Sequence, residues 1–249
     1  MKRFLASALL LFAFSLNAQA PVAVPIPKEP HHHLVLENAY VRVFRVSVPA
    51  HESTLLHQHD VPYVYVALGP ADVINAVQNK PEAHLVMADG QVGYSRGGFA
   101  HIARNESAAP FNNVTIELLK PQGEPHNLCL KIIDTPLGTC QAYQASSASI
   151  DIKSVPAFET EEVKISLLRM GNRDFGLVEV PKLSRLVVAL TGAFLTAEVG
   201  GHPPWTIRPG DVMWLPAGVT SRIRAAPGFS MGSSYLQLDF KDDSKNTKH

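Results

Sequence analysis

Two histidines one residue apart, His57 and His59, lie in the run Leu56-His57-Gln58-His59-Asp60-Val61-Pro62-Tyr63, at the start of the strand-like "YVYVAL". Side chains at i and i+2 of a strand project from the same face. Both imidazoles can therefore point into one sheet-lined interior and share a metal ion. Tyr63 has the same parity and can face the same place. The spacing by itself is weak evidence, because 11 histidines in 249 residues give about half an H-x-H by chance. The plainer reading is two polar side chains at a strand end. A second pair, His31 and His33, is set aside because its flank "PKEPHHH" reads as solvated arm.

Downstream, "DGQVGYSRGGFAHIARN" supplies a third histidine in a defined frame, Gly90-x5-Arg96-Gly97-Gly98-x2-His101-x3-Asn105. Together the two stretches resemble the paired motifs of the cupin superfamily, G-x5-H-x-H-x3,4-E-x6-G and G-x5-P-x-G-x2-H-x3-N. His57, His59 and Gly69 match the first motif, and Gly90, Gly98, His101 and Asn105 match the second. His51 replaces the first glycine, Arg96 replaces the proline, and Tyr63 stands where the glutamate is expected. In cupins the metal is usually held by three histidines and that glutamate. Carried over position by position, the resemblance leaves His57, His59 and His101 as metal ligands, a three-histidine site.

Three neutral imidazoles leave a divalent ion its full charge and open coordination positions. An octahedral Fe(II) site can then take O₂ and a bidentate substrate, much as the two-His-one-carboxylate triad does. A tetrahedral Zn(II) site would hold a water of lowered pKa. The uncompensated charge favours anionic oxygen or sulfur ligands. Family members with three-His iron sites include thiol dioxygenases and a diketone-cleaving dioxygenase. The resemblance thus implies a metal-dependent enzyme on a small-molecule substrate, with Fe(II) favoured. Zn, Mn or Ni would instead suit a lyase, isomerase or hydrolase. A non-catalytic small-ligand-binding barrel is the remaining reading. The Tyr63 hydroxyl is a candidate catalytic hydrogen-bond donor, or else a satisfied core hydroxyl. Arg96 is a candidate for binding a substrate carboxylate at the barrel mouth, or else an ion-paired rim residue. His51 reads as a surface turn residue, and Asn105 and the glycines as turn and packing positions.

The elements that must position these residues read as short strands with Gly/Pro punctuation, without a convincing helical period. One set lies at 40–48, 63–68, 72–77, 83–88 and 113–119. A second lies at 163–170, 175–180, 185–192, 194–199, 211–218, 220–225 and 233–240. The second set carries a faded copy of the motif, Gly210-x5-Pro216-x-Gly218-x2-Ser221-x3-Ala225, with Ser221 at the ligand position. The fold class expected is all-β, two tandem cupin-type jelly-roll barrels. Barrel 1 spans 34–120 and binds metal; barrel 2 spans 159–240 and is degenerate, without metal. The second barrel is expected to buttress the first or to form a homodimer, since long strands need covered edges.

Residues 1–20, "MKRFLASALLLFAFSLNAQA", read as a signal peptide ending in a small-x-small cleavage pattern. Its apolar run is too short to span a bilayer comfortably. The product is expected to be secreted or periplasmic and free of the membrane. A Pro/His-rich arm at 21–33, a connector at 121–158 and a polar tail at 241–249 complete the division. The chain is neutral overall, and without Lys2 and Arg3 it is slightly acidic, a poor match to nucleic acid. In an oxidising compartment Cys129 and Cys140 are expected to pair. That disulfide would contribute about 3 kcal/mol on the chain-entropy model.

Overall fold

The alternating strands leave two faces to cover, and the computed structural model shows what covers each. It describes residues 22–128, 153–170, 178–190, 195–226 and 233–241. The expected signal peptide, Cys129, Cys140, most of the polar tail and the middle of the connector lie outside the described residues.

The first half contains β1 (Val24–Pro25), β2 (His32–Glu37), β3 (Val41–Val48), β4 (His57–His59), β5 (Tyr63–Ala67), β6 (Ala71–Val77), β7 (Ala83–Met87), β8 (Val92–Ser95), β9 (Phe99–Asn105) and β10 (Phe111–Leu118). They form two five-stranded sheets, β1-β4-β9-β6-β7 and β2-β3-β10-β5-β8. The second half contains β11 (His126–Asn127), β12 (Lys153–Glu159), β13 (Val163–Met170), β14 (Val178–Glu179), β15 (Ser184–Ala189), β16 (Leu195–Val199), β17 (Trp205–Ile207), β18 (Val212–Leu215), β19 (Ser221–Ala225) and β20 (Ser233–Phe240). These make a six-stranded sheet, β11-β12-β13-β20-β15-β18, and a four-stranded one, β14-β19-β16-β17. No α-helix occurs among the described residues.

Three cores stack the sheets in the order given. Phe44, Val46, Val48, Val73, Met87 and Phe111 fill the first barrel. Met170, Val187, Leu195, Ile207, Leu215 and Tyr235 fill the second. The largest core lies between the barrels, where Val43, Val64 and Ile116 of the first meet Phe158, Ile165 and Leu238 of the second. This explains why "YVYVAL" reads as a nearly continuous apolar run. One face of β5 lines barrel 1 and the other is pressed against barrel 2. It also explains the break in alternation along β3. Val41 and Val43 face the second barrel, and Phe44, Val46 and Val48 face the interior of the first. Beyond that overlap the outward position is taken by Arg45, which pairs with Asp211 across the halves at 2.8 Å. Both partners are well exposed, so this pair contributes little.

The two halves repeat in their turns as well as their strands. Gly98 and Gly218 hold the same left-handed conformation, φ 76° and 78°, which favours glycine. Their N–H groups donate to His59 O and Pro181 O at 2.7 and 2.8 Å. Gly90 and Gly210 likewise donate to Ala67 O and Ala189 O at 3.0 and 2.8 Å.

Because the inter-barrel core holds both halves, one substitution there should weaken both. Phe158 is fully buried and meets the Tyr94 ring at 4.6 Å. Phe158→Ala is expected to cost about 3–5 kcal/mol and to lower the thermal midpoint by on the order of 10 °C, in a single transition by calorimetry. Two separated transitions with an unmoved first barrel would contradict that coupling.

Of the expected arm, residues 22–33 are corrected from solvated to part of the barrel wall. Val24 pairs with His57 in a parallel bridge, and Ile26, Glu29 and His32 are all buried. Its apolar residues sit among prolines and charges, which is why composition alone reads it as solvated.

Candidate metal centre

His57 and His101 stand directly opposite each other in the antiparallel β4–β9 pair, and His59 faces Phe99 two positions on. Cross-strand neighbours and i, i+2 neighbours on one face converge. The ring centroids of His57 and His101 are 4.4 Å apart, and each lies 5.1 Å from that of His59. All three side chains are buried.

Each ring is oriented by a partner behind it or by a stacked neighbour. His57 Nδ1–H donates to Leu55 O at 2.9 Å. His101 Nδ1–H donates to Asn75 Oδ1 at 2.6 Å. His59 stacks on Tyr63, centroids 4.1 Å apart and planes 21° from parallel. His57 Nε2, His59 Nδ1 and His101 Nε2 are then buried without a hydrogen-bond partner. A buried nitrogen of this kind costs about 1–3 kcal/mol if left unsatisfied. Three on rings that line one cavity fit the donor set of a divalent transition metal.

The electrostatics agree. Burial pushes the His57 imidazole down to about 4, reinforced by nearby His32. Burial, with His57 and His32, pushes His101 down to about 3. His59 is lowered further by burial and by its histidine neighbours. All three are therefore neutral at physiological pH, the form that binds metal.

The cavity has a volume of about 640 Å³. Its walls include Val46, Val73, Met87 and Phe111, with Asn113 and Thr115 as polar groups. Tyr63 is buried within the site, and burial raises its phenol to about 12 against the opposing hydrogen bond from Ser95. It is thus a fixed, protonated hydroxyl. Arg96 lies at the mouth, mostly exposed, and pairs with Glu124 at 3.0 Å. Asn105 is a loop clamp: its amide donates to Val48 O, Pro49 O and Ala109 O, and its Oδ1 accepts from Ser107 N–H. His51 adopts φ 59°, the left-handed conformation for which glycine is usual. That accounts for the glycine the motif places there.

Three residues the motif reading missed complete the surroundings. Glu117 is buried on β10, opposite Tyr63 in the β5–β10 register. Its Oε1 lies 4.0 Å from His59 Nδ1, while Oε2 accepts from Arg42 at 3.1 Å. Burial raises its carboxyl more than Arg42 lowers it. The expectation of a centre with no acidic neighbour is therefore corrected. A carboxylate enters from the strand beside the one carrying Tyr63. His32 and Glu29 are the other two. The imidazole nitrogens within 4.8 Å of one another belong to His32, His57 and His59, and His101 is not in that set. Flanking His31 and His33 are outside it too, and His31 Nδ1–H instead donates to Ser47 O. The sequence signal for His32 was Glu29-x-x-His32 inside a segment with a buried isoleucine, which a search for H-x-H passes over.

No family model and no curated protein sequence matches the chain. Among solved structures it is similar to the protein YlbA from E. coli (TM-score 0.59, 10% identity, 89% of this chain and 88% of that one). It is also similar to a cupin 2 conserved barrel domain protein from Leptotrichia buccalis (0.53, 11%, 84% and 88%). The chain has the cupin fold. A third similar structure is salicylate 1,2-dioxygenase from Pseudoaminobacter salicylatoxidans (0.56, 10%, 81% and 71%), which is also known as an adduct with gentisate. At these identities the likeness speaks for the fold. In this chain the site rests on its own residues: three buried, partnerless imidazole nitrogens in barrel 1, and at the matching turn of barrel 2 the buried Ser221.

Proposed function

We propose that this cupin is an exported metal-dependent enzyme whose first barrel binds a divalent transition metal through His57, His59 and His101. Its preferred form is an Fe(II) dioxygenase acting on a small anionic or bidentate substrate. The observation that carries the reading is the trio of buried nitrogens, His57 Nε2, His59 Nδ1 and His101 Nε2, none with a hydrogen-bond partner. A metal held there supplies Lewis acidity and, as Fe(II), a centre for O₂ chemistry. The chain's own residues supply the rest. Leu55 O and Asn75 fix two rings, and Tyr63 backs the third and holds a protonated hydroxyl beside it. The apolar walls exclude water, and Arg96 at the mouth offers a charge to an incoming carboxylate. Barrel 2 serves as a buttress without metal in this reading.

Elemental analysis of protein purified from its own compartment, followed by O₂-uptake screening of the iron-loaded form against small phenolic acids, diketones and thiols, tests the proposal. Stoichiometric iron with substrate-dependent O₂ consumption is expected. Zinc, manganese or nickel without O₂ uptake would move the assignment to lyase, isomerase or hydrolase chemistry. Protein that takes up no divalent metal would remove it.

A further inference from the structure

The N-terminal segment carries a buried carboxylate whose position calls for a reason. The Glu29 side chain is fully buried. It accepts from His31 N–H at 2.9 Å, from Leu55 N–H at 3.1 Å and from His32 Nδ1–H at 2.5 Å. Burying an ionised carboxylate is costly unless it is paired and hydrogen-bonded. The side-chain partner of Glu29 is His32, and that ring faces the histidine cluster. Its centroid is 4.7 Å from that of His57 and 6.3 Å from that of His59. With Nδ1 committed to Glu29, Nε2 is the nitrogen His32 can offer. Metal-bound histidines commonly carry such a carboxylate on the other ring nitrogen, which fixes the tautomer and strengthens the donor.

The surroundings leave a place for this donor. Tyr63, at the position of the motif's glutamate, lies flat on His59 and hydrogen-bonds Ser95. Glu117 is held through Oε2 by Arg42. His32 reaches the same cavity from β2, where it pairs with Val46 on β3. Leu55 ties the two sides together, donating its N–H to Glu29 and accepting at its carbonyl from His57.

We infer that His32 is a fourth metal ligand, replacing the motif's carboxylate with an imidazole, and that Glu29 orients it. The site is then an all-imidazole one whose nearest carboxyl groups are Glu29, bonded to the His32 ring, and Glu117, whose Oε1 lies 4.0 Å from His59 Nδ1. This rests on the metal-site reading above and deepens it.

The test uses the full chain, stripped with chelator and titrated with Co(II) alone. It reads affinity, the visible spectrum, and the number of imidazoles around cobalt by X-ray absorption. Wild type is expected to show four imidazoles. His32→Ala should show three, an altered spectrum and roughly 100-fold weaker binding. Glu29→Gln should keep four imidazoles and lose about 10–100-fold in affinity. The imidazole count on wild type decides the matter even if a variant fails to fold. Three imidazoles in wild type, with His32→Ala binding unchanged, would overturn the role of His32 and leave the motif trio standing. Wild type that binds no cobalt would overturn both.

Discussion

Alanine in place of His57 is expected to abolish metal retention while leaving the folded barrel in place. His57 and His59 belong to both sets, and His57 in addition faces His101 across the β4–β9 pair. Structural metal sites of about four ligands bind with roughly 10–16 kcal/mol. Loss of a shared ligand therefore weakens binding by at least about 100- to 1,000-fold. The cost to the metal-free fold is small by comparison. The change leaves Leu55 O without its donor, worth about 1–3 kcal/mol, and removes one of the partnerless nitrogens at the same time. Asn75→Ala, which frees only the His101 ring, should lose about 10–100-fold. Isothermal titration with a single metal, beside far-UV circular dichroism, separates the two effects. His57→Ala that keeps wild-type affinity would take the metal out of this cavity.

The metal-free protein should lose stability steeply as pH falls from about 6.5 to about 4. Unfolded imidazoles take up protons near pH 6.5. In the folded chain, burial holds His57 neutral down to about 4 and His101 down to about 3. Between those limits the unfolded state binds more protons, so acid favours unfolding. Stability is full above the unfolded value and is withdrawn below it. Each pH unit of depression is worth about 1.4 kcal/mol, so the two rings together withdraw on the order of 5 kcal/mol by pH 4. That is comparable to a domain's whole stability of about 5–15 kcal/mol. Urea titrations of the chelated protein across this range should show the fall. The double variant His57→Ala/His101→Ala should make the fall shallower, because it keeps only His59 of the three depressed rings. Parallel curves for the two proteins would mean that other groups set the acid sensitivity.

Much of the fold was legible because its signals are local. The glycines at 90, 98, 210 and 218 mark turns whose backbone conformation depends on a few neighbouring atoms. His57-x-His59 shares a face because strand parity is a two-residue property. His101 was implied by the resemblance to the second cupin motif, through its spacing from Gly90 and Gly98 within one hairpin. Tyr63 was placed in the site by the same parity, although its stacking on His59 was not foreseen.

The sequence by itself determined an all-β chain with a turn pattern repeated in two halves, since strand and turn signals recur over short, regular spacings, and its resemblance to the cupin motifs implied the histidine trio in the first half. Only the tertiary structure decided what surrounds the trio. His32, Glu29, Asn75 and Glu117 arrive from β2, its preceding turn, β6 and β10, and sequence separation says nothing about which strands become neighbours. The core between the barrels, which buries the outward face of β5, is decided in the same way. It exists only once the second barrel is laid against the first, where the area removed from water drives the packing.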